Sequence, residues 1–91
     1  MPVEVRVTAT LQRLVGGVRG VTAEGSNIAE LLEHLNDHYP GFKEQVAEDG
    51  HLRRFVNVFL NDEDIRFMGE LATPVKEGDV ISILPAMSGG A

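Results

Sequence analysis

The chain has no cysteine among its 91 residues, which excludes a disulfide framework, a thiolate zinc site and a cysteine nucleophile. A domain this small must then be held by its apolar core alone, and reducing surroundings suit it. Cations are scarce as well. Eight Lys and Arg stand against 14 Asp and Glu, a net charge of −6, so the clustered positive excess that neutralises phosphates is lacking and nonspecific nucleic-acid binding is excluded. The charge favours a basic partner instead. No apolar run approaches the roughly 18 residues that span a bilayer. The opening Met1-Pro2-Val3-Glu4-Val5-Arg6 has neither the basic nor the apolar region of a signal peptide. The expectation is a cytoplasmic protein that engages no membrane. No internal repeat is present. What remains is ordinary: 43% hydrophobic and 24% charged residues fit one globular domain, neither disordered nor long enough to divide in two.

Between Val3 and Thr10 apolar and polar residues alternate strictly, putting Val3, Val5, Val7 and Ala9 on one face of a half-buried strand. Gly16-Gly17 then supply the positive φ angles of a hairpin connection to a second strand, Val18 to Ala23. From Asn27 the period becomes helical, with Ile28, Leu31, Leu32, Leu35 and Tyr39 on one stripe. Asn27 and Glu30 form an N-cap and capping-box pair, and Pro40-Gly41 ends the helix near residue 38. Residues 42 to 53 read as a short helical turn plus loop. Arg54 to Leu60 is the strongest strand, with Val56, Val58 and Leu60 opposite Phe55, Asn57 and Phe59. Asn61-Asp62 turns the chain into a short strand around Asp64-Ile65-Arg66, and Val80 to Leu84 makes a last strand stopped by Pro85.

A hairpin, one helix and further strands fit an α+β layer, a mixed sheet covered on one face by a single main helix. A right-handed crossover through that helix sets the Arg54 to Leu60 strand or its neighbour parallel to the first, giving a ubiquitin-like β-grasp with the other sheet face open. The domain spans 1–85. Residues 86–91, Ala86-Met87-Ser88-Gly89-Gly90-Ala91, are a flexible tail. Its glycines, lacking Cβ, suit a narrow channel, and its last five residues reach about 17 Å when extended. An ionised terminal carboxylate is a poor electrophile, so transferring it demands prior activation, for which adenylation by ATP is the route.

In this order, the Asn27-Ile28-Ala29-Glu30-Leu31-Leu32 helix start, the Val56-Asn57-Val58-Phe59-Leu60-Asn61 strand, Gly78-Asp79, and Leu84-Pro85-Ala86 leading to Gly89-Gly90 resemble the ThiS/MoaD family of ubiquitin-like sulfur carriers. The run from Arg54 to Phe67 with Leu71-Ala72-Thr73 looks most like the cysteine-biosynthesis branch. The resemblance implies that Gly90 is adenylated by an E1-like adenylyltransferase and sulfurtransferase, converted to a thiocarboxylate, and delivered to a PLP-dependent cysteine synthase. The carrier binds no cofactor itself, and ATP is used by the activating enzyme. It is not an enzyme. Ala91 departs from the pattern, since active carriers end at the second glycine, and the resemblance implies its removal by a JAMM-type zinc metalloprotease. Phe59 and Leu84, alternating with core neighbours Val58 and Ile83, would dock the activating enzyme through the open face. The alternative is that they pack under the loop from Phe67 to Pro74. Rival readings stay open: a thiamine sulfur carrier, a molybdopterin-synthase small subunit inserted in its large subunit, a ubiquitin-like modifier forming isopeptide bonds, or a plain interaction domain.

Other constellations carry less. His34 and His38 stand one helical turn apart but lack further convergent ligands, so they read as solvated helix positions and no metal site is expected. Asn61-Asp62-Glu63-Asp64 lacks the glycine and closing glutamate of a calcium loop and reads as a hairpin tip. Gly16 to Gly20 opens no helix and cradles no phosphate. Ser26, Ser82 and Ser88 belong to no triad, and no catalytic residue is expected.

Overall fold

The computed structural model describes residues 2–8 and 10–85. Its first strand, β1 (Pro2–Val7), buries Val3, Val5 and Val7 as the alternation requires. The expected hairpin connection contains a short helix, α1 (Thr10–Leu14). Leu11 and Val15, four residues apart, are both buried, which fixes the helical period there. Gly16 at φ 81° then ends the helix, and the Gly17 N–H donates back to the Gln12 carbonyl, the bond that closes a Schellman-type cap. The second strand, β2 (Gly20–Glu24), pairs antiparallel with β1.

The main helix, α2 (Ile28–His38), has Asn27 as its N-cap, accepting from Glu30 N–H at 2.8 Å. Ile28, Leu31, Leu32 and Leu35 are buried, and each contributes roughly 2 kcal/mol on leaving water. The capping box is displaced by one residue. Glu30 reaches past Asn27 to the backbone N–H and hydroxyl of Ser26, each at 2.8 Å. Gly25 makes this possible, because a Cβ there would lie 2.9 Å from the Leu31 nitrogen.

Residues 42 to 53 differ from expectation. A helical turn, α3 (Phe42–Val46), leads into a small hairpin of β3 (Ala47–Glu48) and β4 (His51–Leu52) in place of the loop. Asp49 and Gly50, at φ 54° and 81°, form its two-residue turn. Strands of two residues are too short to show alternation, which is why the segment reads as loop in the sequence. The strand expected around Ile65 is also shorter: after β5 (Val56–Leu60), β6 covers only Glu63–Asp64. Ile65–Phe67 is a 3-10 helix that drives Ile65 fully into the core. A second 3-10 helix, Glu70–Ala72, precedes β7 (Val80–Pro85).

The five-stranded sheet runs β2-β1-β7-β5-β6, with β1 and β7 parallel at its centre. Val5 lies beside Ile81 and Val58 beside Ile83. These inward residues meet the stripe of α2 in one core with Phe42, Val46 and Ile65. The parallel central pair and the helix over one face are the expected β-grasp.

Candidate functional site

β7 is held on both sides, parallel to β1 and antiparallel to β5, and its final residue Pro85 lies beside Val56. The chain therefore leaves the sheet from a strand paired on both sides. Ala86, Met87, Ser88, Gly89, Gly90 and Ala91 lie outside the described residues, so the predicted attachment point and processed residue are not among the positions described below.

On the sheet face away from α2, Asn57 lies opposite Leu84 and Phe59 opposite Ser82, which makes Phe59 and Leu84 diagonal neighbours on one surface. Leu84 is 38% exposed, whereas Phe59 is half-buried, with Asp64 across from it on β6. The two predicted docking residues are thus brought together on the open face. Sequence reasoning missed the more exposed rings: Phe55 is 67% and Phe67 89% exposed. Phe55 had been placed on the strand face with Phe59, but it precedes the first paired residue, Val56.

Arg66 fixes this end of the sheet. Its guanidinium donates to the Asn57 side-chain oxygen at 2.8 Å and to the carbonyls of Arg53 and Val56 at 2.8 and 2.7 Å. Those carbonyls lie beyond the reach of the short β6, so a side chain substitutes for a missing strand. Arg53 is paired with Glu48 at 2.9 Å. Arg54 makes no ion pair among the described residues.

The opposite end is closed by Asn61. Its amide donates to Asp79 at 2.9 Å and its oxygen accepts from the Val80 N–H at 2.9 Å. Asp79, buried, also accepts from the Lys76 N–H at 2.9 Å. The Asn61 amide first, and then the Lys76 N–H, hold the Asp79 carboxyl below its ordinary range. Asn61 and Asp62, at φ 50° and 77°, are a two-residue hairpin turn, as the sequence indicated. Two hydrogen bonds from Ser26 likewise lower Glu30.

The histidines have structural partners. His34 accepts the Glu24 N–H at 3.0 Å, tying β2 to α2, and His38 packs edge-on against it. His51 faces Glu70 at 3.3 Å. Among the described residues no three His, Asp or Glu side chains converge on a common metal position, and no helix is long and apolar enough to cross a membrane.

A mixed sheet with a parallel central pair, one covering helix and a last strand leading to Gly89-Gly90 defines a ubiquitin-like β-grasp protein. The ThiS family pattern matches residues 5–90, and the chain belongs to that family. It is 40% identical over 93 residues to the sulfur carrier protein CysO of Mycobacterium tuberculosis, covering 99% of this chain and all of that one. A chain of the Amycolatopsis orientalis BexX/CysO complex superposes with a TM-score of 0.89 at 38% identity, covering 92% of this chain and 94% of that one. Small archaeal modifier protein 1 of Methanosarcina acetivorans gives 0.83 at 31% identity, over 98% and 96% of the two chains. The relatives it matches over nearly its full length thus include CysO sulfur carrier proteins.

Proposed function

We propose that this protein carries sulfur for cysteine biosynthesis as a thiocarboxylate on Gly90. The observation behind the reading is the full-length 40% identity to a CysO sulfur carrier, joined to the Gly89-Gly90 pair at the end of the sequence. Removal of Ala91 by a JAMM-type metalloprotease exposes the Gly90 carboxylate. An E1-like enzyme then transfers AMP from ATP to that carboxylate, releasing pyrophosphate. Sulfide equivalents displace AMP, leaving one carboxylate oxygen replaced by sulfur, and a PLP-dependent cysteine synthase accepts that sulfur. ATP is held by the activating enzyme and no cofactor by the carrier. The folded domain 1–85 contributes the docking surface, including Phe59 and Leu84, and the tail 86–90 contributes reach. We place these steps in the cytoplasm, in keeping with the cysteine-free chain.

A Gly90-terminated form incubated with ATP, its activating enzyme and a sulfide source should exchange one terminal oxygen for sulfur by intact mass. An unchanged mass beside an enzyme of proven activity would sink the reading. A second reading, a protein modifier whose acyl adenylate is taken by lysine amines, draws on the likeness to small archaeal modifier protein 1. Slower-migrating conjugates in cells, lost when Gly90 is deleted, would favour it.

A further inference from the structure

We propose that Phe55 and Phe67, set around the Arg66 guanidinium and continued by Leu84, form a docking site for an apolar, carboxylate-rimmed surface of the enzyme that takes Gly90. The proposal rests on the sulfur-carrier reading and adds a surface beside the open sheet face, at the edge where β5 begins.

The exposure of Phe67 is built in. Its 3-10 helix is pinned by Asp64, which accepts the Arg66 N–H at 2.9 Å, by the Met68 N–H on the Ile65 carbonyl at 3.0 Å, and by fully buried Ile65. The three side-chain bonds of Arg66 then lock the segment to the start of β5. Phe55 lies between the two residues whose carbonyls Arg66 holds. Phe67 thus follows the anchoring arginine directly and Phe55 precedes one of its acceptors, and both face water, where large apolar side chains provide low-entropy contacts for a partner.

The position commits the occupant. Val56 pairs with Pro85 and Asn57 with Leu84, so the start of β5, next to Phe55, lies beside the root of the tail. Ala86 to Gly90 can span at most about 17 Å. An enzyme holding Gly90 in its active site cannot stand farther off, and must cover the ground around Pro85.

The chain as a whole is acidic, at −6, and Glu48 and Asp49 line the same hollow as Arg53, Arg54 and Arg66; with Glu48 paired to Arg53, the rim takes its local sign from Arg54. Arg54 is exposed without an ion pair among the described residues, and Arg66 meets only amide and carbonyl oxygens. At the far end of the same sheet lie Asp62, Glu63 and Asp79. Carboxylates on the partner would attract the Arg54 end and be repelled by the other, orienting the carrier with its tail forward.

The test uses Gly90-terminated chain and its cognate activating enzyme, read by carrier-dependent ATP–pyrophosphate exchange. Arg54→Glu and Phe67→Ser, both at exposed positions, should each raise KM for the carrier about tenfold with kcat and thermal melting unchanged. Arg54→Glu should also weaken the salt dependence of KM, and Glu63→Lys at the far end, which alters steering but no contact, should shift KM far less than either. Wild-type exchange together with wild-type KM in both variants overturns the proposal and leaves the carrier reading intact. No exchange by the unaltered chain fails both. A concentration-dependent dimer abolished by Phe67→Ser would assign the surface to a second copy and overturn it as well.

Discussion

The two ends of the sheet solve the same problem in opposite ways. At the turn end, β5 hands over to β6 through Asn61, and the neighbouring loop hands over to β7 through Asp79. Asn61 and Asp79 find their partners within the chain, and among the described residues no large apolar side chain at this turn is exposed. At the tail end, Arg66 closes the backbone account equally well, yet it leaves Phe55 and Phe67 turned outward. The difference teaches that exposure at the tail end is not a failure of local order. One end is finished by folding, while the other is equally rigid and still has apolar surface to cover.

Replacing the anchors would sharpen that contrast, and the largest effect belongs to the tail end. Arg66→Met keeps much of the side-chain bulk but takes the guanidinium donor from the Val56 carbonyl and leaves the Arg53 carbonyl with the Val56 N–H alone. Charge-assisted bonds to half-buried groups put the loss at about 3 kcal/mol. Urea unfolding should show the midpoint falling at unchanged slope. A loss near zero would mean that the segment is held by Ile65 alone and that the rings are not rigidly presented. Asn61→Ala acts at the other end and should cost about 2 kcal/mol, for two lost side-chain bonds and a left-handed φ that alanine adopts poorly. Asn61→Gly keeps the backbone freedom, so the difference between the two variants separates the bonds from the strain.

Acid should act on the turn end, because the Asp79 carboxyl there is held below its ordinary range by the Asn61 amide and the Lys76 N–H. Asp79 has a folded pKa below its unfolded value, raised stability being present above the unfolded value of about 3.9. That stability is lost as pH falls through the lower folded value. Glu30 adds to the same window in the same direction. Asp79→Asn should therefore flatten the acid limb of stability against pH, measured by urea midpoints from neutral pH downward. An acid limb as steep as in the unaltered chain would remove Asp79 from the clamp.

Much of the architecture was legible because long, strongly patterned segments carried it. The valine alternation of β1, the stripe Ile28, Leu31, Leu32 and Leu35, and the faces of β5 are all where the sequence puts them. Short elements were not. α1 depends on one i, i+4 pair, Leu11 and Val15, and the β3 and β4 strands have two residues each. That Phe59 and Leu84 share the open face was readable from local alternation. Arg66 was not, since its three partners stand nine to thirteen residues away and are mainly backbone carbonyls that no side-chain pattern announces. With Arg66 unseen, the outward direction of Phe55 and Phe67 was unseen too.

The smallest effect on stability should come from the largest exposed ring, and it bears most directly on the comparison. Phe67 is 89% exposed, so its side chain leaves little water on folding and the usual gain of burying an aromatic does not arise. Phe67→Ser should change unfolding free energy by no more than about 0.5 kcal/mol. The neighbouring hydrogen bonds do not pass through the ring: Asp64, Met68 and Arg66 use backbone and guanidinium groups. A fall as large as that of Arg66→Met would show that the ring packs against the protein in solution, and the tail end would then be as complete as the turn end. An unchanged stability leaves the ring without a role in the fold, so that whatever keeps a phenylalanine at this position acts through something outside the folded domain.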